Sequence, residues 1–63
     1  MPIYLVYIED SRYSAPQLDC IEAVDDQRAL AVARARLDAS AHYRSADVWE
    51  DDRFVARLAR ANA

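Results

Sequence analysis

Apolar residues recur along this chain with two different periods. Between Val24 and Ala41 (VDDQRALAVARARLDASA), Leu30, Ala33 and Leu37 follow an i, i+3, i+7 spacing, with Ala29, Ser40 and Ala41 beside them. That is an apolar stripe roughly 100° wide, as a helix lying on a core requires. Arg34 and Asp38 fall opposite the stripe as an i, i+4 pair in the weaker, base-first order. Asp25 stands where a carboxylate can accept a first-turn N–H, and Asp26 adds negative charge where the helix dipole favours it. The pattern predicts a helix over Asp26–Ser40. Its end is poorly marked, because no glycine follows to form a left-handed cap, and His42 or Tyr43 is expected just beyond it.

The other apolar runs are short and rich in β-branched and aromatic residues. Ile3–Ile8 is apolar on both alternating faces, Ile3, Leu5, Tyr7 and Tyr4, Val6, Ile8, which is the pattern of a central strand. Glu9–Pro16 is made of turn formers and reads as a loop. Gln17–Val24 is a second strand with Asp19 and Glu22 on opposite faces, a pattern suited to a sheet edge. Arg44–Glu50 is a third strand centred on Val48 and Trp49. Arg53–Ala61 fits a fourth strand after an Asp51-Asp52 turn, or a helix with Arg53, Arg57 and Arg60 opposite Phe54, Val55 and Leu58. The strand reading yields a small α+β domain over residues 1–63: a ββαββ chain forming a mainly antiparallel sheet with one helix across one face. An order of 2-1-3-4 keeps every neighbour antiparallel and puts the first strand inside. The helical reading of the last segment yields ββαβα.

The sequence of hairpin, Asp-capped alanine-rich helix and second hairpin resembles small uncharacterised bacterial proteins of ββαββ type. Asp25-Asp26, Ala29-Leu30, Val48-Trp49, Arg53, Val55 and Leu58 carry the likeness, which covers most of the chain. Members often have a glycine in the last turn, where this chain has Asp51-Asp52. The resemblance implies a fold and no activity.

A chain of 63 residues buries only about 60% of its unfolded surface and is marginal alone. The one cysteine excludes an internal disulfide, and one Cys with one His is too few soft ligands for a structural zinc. Association with another chain is the remaining common remedy. Met1–Ile8 lacks the basic start of a signal peptide, and no apolar run approaches the ~20 residues of a membrane span, so a cytoplasmic, membrane-free protein is expected. The net charge of −3 argues against direct nucleic-acid binding, although all eight basic residues are arginine.

Candidate chemistry is sparse. Cys20 has no evident base or electropositive setting, and is expected to be a small buried side chain. His42 is expected near the helix end, where its imidazole could favour the last carbonyls. The tyrosines and Trp49 lack the basic groove of a nucleic-acid stacking platform. No catalytic, cofactor-binding or metal-binding constellation is visible, so an enzyme is not expected.

Chain direction does bring carboxylates together. Asp25, Asp26, Glu50, Asp51 and Asp52 all fall at one end of the proposed domain, moderated by Arg28 and Arg53. They are the candidate partner-binding set, able to meet a basic surface. One helix covers only one face of a sheet, so Tyr4, Val6, Ile8, Trp49 and Val55 are a candidate interface on the other, for a homodimer or another protein. The expected function is a small non-enzymatic protein-binding module. One form of it is an acidic inhibitor that occupies a basic, nucleic-acid-binding surface of a partner, given a bulk likeness in size and charge to anti-CRISPR and DNA-mimic proteins. The alternative is a nucleic-acid-binding regulator using Arg53, Arg57 and Arg60.

Overall fold

In the computed structural model, which describes residues 1–60, the elements run β1 (Ile3–Asp10), β2 (Gln17–Glu22), α1 (Asp26–Leu37), β3 (Tyr43–Glu50) and β4 (Arg53–Ala59). The strands form one antiparallel sheet in the order β2-β1-β3-β4, with α1 packed on one face. The α+β class, the ββαββ order and the inner place of β1 all follow the sequence pattern. The last segment is the strand of the two readings. Ala61, the end of that predicted strand, lies outside the described residues.

Alternation decides what is buried. Tyr4, Val6 and Ile8 of β1 face α1, together with Ile21 of β2 and Ala46 and Val48 of β3. Above them sit Ala29, Ala33 and Leu37, each fully buried. The alanines have almost no side chain, so the helix can lie close to the branched side chains of the sheet. Leu30, Val32, Tyr43, Val55 and Leu58 seal the margins.

The candidate interface is therefore corrected. Tyr4, Val6 and Ile8 form the floor of the core beneath α1, and Val55 packs against that core. Of the five residues, Trp49 alone belongs to the outward face. The tyrosine hydroxyl explains the choice of face for Tyr4: it donates to Asp26 Oδ1 at 2.7 Å, a bond available only on the helix side.

The helix starts as its sequence predicts. Asp25 is the N-cap and its Oδ1 accepts from Arg28 N at 2.8 Å. The helix ends at Leu37, earlier than Ser40: the i→i−4 ladder stops at Asp38, and an i→i−3 bond and a side chain take the carbonyls that follow. Asp38 N donates to Arg34 O and Ala39 N to Arg36 O. The Arg60 guanidinium then donates to Leu37 O at 3.0 Å and to Ser40 O. Arg34 donates to Ala59 O at 3.0 Å instead of pairing with Asp38.

Two irregularities shape the sheet. The β1–β3 register slips at Glu9/Asp10, and the β3–β4 register slips at Val48/Trp49. The second slip lets Val55 pack on the core and Phe54 meet Trp49, its outward neighbour. A β-bulge has this effect, since one extra residue resets the alternation of the bulged strand.

Candidate protein-binding face

The side of the sheet away from α1 has no covering element among the described residues. Its residues follow from the register. Cys20, Leu5, Trp49 and Phe54 make one row that crosses all four strands. Leu18, Tyr7, Asp47 and Arg57 make the next. Trp49 and Phe54 meet edge to face, with ring centroids 5.2 Å apart, a favoured aromatic geometry. Ile3, Leu18 and Phe54 remain 53%, 54% and 50% exposed. A contiguous apolar surface of this kind commonly marks an interaction site.

A groove of about 540 Å³ runs along this face. Tyr7, Trp49 and Tyr13 supply its aromatic walls, and Glu9, Asp47, Asp51, Asp52 and Arg57 its charges. The β1–β2 loop overhangs one end, and the β3–β4 turn forms the other.

The loop is held at its base by Asp10, whose side chain is almost fully buried. Its carboxylate accepts from Arg12 N at 2.8 Å, Arg12 Nε at 3.0 Å and Arg12 Nη2 at 2.7 Å. Those bonds from Arg12 hold the Asp10 carboxyl down at about 2. Asp10 O also accepts from Tyr13 N, and Ser11 N donates to His42 O. The Arg12 guanidinium carbon lies 5.4 Å from the centroid of the Tyr13 ring. The loop is thus tied down where it begins, and Tyr13 is set over the groove.

At the opposite end, Glu50 and Arg53 close a turn formed by Asp51 and Asp52. Asp51 has φ 54, the left-handed region that glycine would fill without cost. Within the groove, Arg57 binds both oxygens of Asp47 at 2.7 and 2.9 Å. The bonds from Arg57 lower the Asp47 pKa. Four carboxylates face one guanidinium here, and that guanidinium is already engaged.

The predicted acidic end divides by role. Arg53 draws Asp26 and Glu50 together, reaching Asp26 at 2.7 and 3.1 Å and Glu50 at 2.6 Å. Hydrogen bonds from Arg53 and then Tyr4 lower the Asp26 pKa, while the bond to Asp26 pushes the Tyr4 hydroxyl up to about 12. Asp25 caps the helix. Asp51 and Asp52 line the groove.

The C-terminal arginines are all engaged within the chain. Arg53 and Arg57 hold carboxylates, and Arg60 holds the carbonyls of Leu37, Ser40 and Tyr43. Cys20 is exposed on the outward face, which corrects its expected burial, because edge strand β2 has no cover on that side. His42 is exposed, and Arg60 serves the helix carbonyls in its place. Among the described residues, no three His, Cys, Asp or Glu side chains are grouped to hold a metal ion. No described helix is long and apolar enough to cross a membrane.

Sequence reasoning missed Asp10, Arg12, Tyr7 and Tyr13 as site-forming residues. A signal existed for the first two, since Asp followed by Ser-Arg is a local turn former. Tyr7 belongs to one of the two apolar faces of β1, and the strand pattern alone does not choose between them. Comparison with family models, curated proteins and solved structures finds no match for the chain.

Proposed function

We propose that the chain is a small non-enzymatic protein-binding module that engages another protein through its outward sheet face. One observation carries this reading: an apolar row ending in half-exposed Phe54 spans all four strands on the outward side, with Ile3 and Leu18 about half exposed beside it. The helix side gains its stability from burial, whereas the outward side keeps large apolar groups in water. Partner contact returns that cost, since burial yields about 25 cal/mol per Å² of apolar surface before the cost of association.

Charge favours the inhibitor form of the reading, in which the chain occupies a basic surface of a nucleic-acid-binding protein. Glu9, Asp51 and Asp52 add carboxylates to the apolar face without ion-pair partners among the described residues. The nucleic-acid-binding alternative draws no support from its arginines, because Arg53, Arg57 and Arg60 are already bonded to the chain's own groups.

Site-specific photo-cross-linking tests the module. A photoreactive residue at Phe54 is expected to capture a specific protein in extracts of the source cell, while the same residue at Ala35, exposed on α1, does not. Equal capture at both positions, or none at Phe54, removes the outward face as the binding surface.

A further inference from the structure

We infer that the groove on the outward face seats an extended arginine- or lysine-bearing segment of the partner protein, with its cationic side chains between the aromatic rings and the free carboxylates. The inference rests on the protein-binding reading and specifies the chemistry of the occupant.

The groove follows β3 from the β1–β2 loop to the β3–β4 turn, taking in Ser45, Asp47, Trp49 and Asp51. At the ~3.3 Å rise of each strand residue, this course is about 20 Å long. It is open along its length and so accepts an extended chain.

The Asp47–Arg57 pair is closed, so it neither attracts a cation strongly nor repels one. Glu9 lies near enough to favour the Arg57 charge, and Asp51 and Asp52 stand at the far end. An anionic segment would meet three carboxylates without compensation. A neutral apolar segment would leave them unpaired and, wherever it covered them, strip their water at a cost. A cationic segment satisfies them.

Tyr7 and Trp49 stand on the outward face of neighbouring strands β1 and β3, Tyr13 on the β1–β2 loop, and all three line the groove. Cations are attracted to aromatic faces, and arginine also stacks on them. Arg12 already lies over Tyr13, so Tyr7 and Trp49 are the rings left to a partner's cation.

The single tryptophan lines the groove and reports on it directly. Trp49 emission is followed while the protein is titrated with a blocked peptide of alternating arginine and alanine. A second peptide carries citrulline, the uncharged isostere, in place of arginine. The arginine peptide is expected to give a saturable change, and the citrulline peptide to bind about tenfold more weakly. The variants Glu9→Gln, Asp51→Asn and Asp52→Asn are each expected to weaken binding about two- to fivefold and to lower its salt dependence. Asparagine tolerates the left-handed backbone at position 51, so that variant keeps its turn. The double variant Glu22→Gln/Asp38→Asn removes two charges outside the groove, and is expected to leave the titration unchanged.

Absence of a saturable change, equal binding of the citrulline peptide, or equal weakening by the Glu22/Asp38 variant overturns the inference. So does a Trp49 change driven by protein concentration alone and matched by dimer formation in sedimentation, because a second copy would then fill the groove. Capture at Phe54 with no response to the arginine peptide leaves the protein-binding face standing and removes only its cationic ligand. Failure of both removes both.

Discussion

Asp51 shows how a single backbone angle can replace a sequence signal. A tight hairpin usually announces itself with Asn-Gly or Asp-Gly; this chain has no glycine at all. Aspartate takes the left-handed conformation instead, at φ 54, at a cost that a β-carbon makes unavoidable. Asp51→Gly is expected to be about 1 kcal/mol more stable than Asp51→Ala in denaturant unfolding. Equal stability of the two variants would mean that the turn is not strained at this position. Asp10 allows a test in acid. Its carboxyl is held at about 2, below the ordinary 3.8, first by the side-chain bonds from Arg12. A depressed carboxyl stabilises the fold above its unfolded pKa and loses that contribution as pH falls toward the folded value. Asp26 and Asp47 are shifted in the same direction by Arg53 and Arg57. Melting temperature is therefore expected to fall between pH 3.8 and about 2, and Asp10→Asn to make the fall shallower. An unchanged acid profile in that variant would show that the Asp10–Arg12 contact does not support the folded state.

Element existence was legible because each element's pattern reached the core. In β1, both faces are apolar, so its inner position could be read, but not which face the helix would take. That choice depends on Tyr4 reaching Asp26 across the core and on the small side chains of Ala29 and Ala33. Neither relation is visible in a local pattern. The same reason explains the early end of α1. Its apolar spacing continues to Ser40 and Ala41, yet Arg60, distant in sequence, binds Leu37 O, Ser40 O and Tyr43 O. A cationic side chain at a helix C-terminus satisfies carbonyls and complements the dipole. Arg60→Ala is expected to cost about 2 kcal/mol, the order of hydrogen bonds from a charged donor. Hydrogen exchange should then quicken most in the last turn of α1. Faster exchange confined to β4, with α1 unaffected, would show that Arg60 only steadies its own strand. The acidic end was legible as a convergence but not as a set of roles. Arg53 could be placed near it, whereas the division between ion pairs, cap and groove needed the register of β3 and β4.

Across the whole molecule, the two sides of one sheet meet different demands. Val6 is fully buried, so Val6→Ala should lose transfer energy and leave a cavity, costing about 2 kcal/mol. For a domain of this size, that corresponds to a fall of about 10 °C in melting temperature. On the outward side, Ile3 and Leu18 are each about half exposed. Threonine keeps strand preference at both positions. Ile3→Thr and Leu18→Thr are expected to stay within about 0.5 kcal/mol of the parent, as most surface substitutions do. The asymmetry can be read by thermal unfolding of the three variants under one set of conditions. It matters because a monomer could carry polar residues at Ile3 and Leu18 with little loss of stability. If they are nearly neutral for folding yet reduce cross-linking from Phe54, the apolar character of the outward face belongs to binding. If either threonine variant melts as early as Val6→Ala, the exposed apolar groups at Ile3 and Leu18 belong to the energetics of the folded chain itself. No partner is then needed to account for them, whatever the charge of the groove nearby.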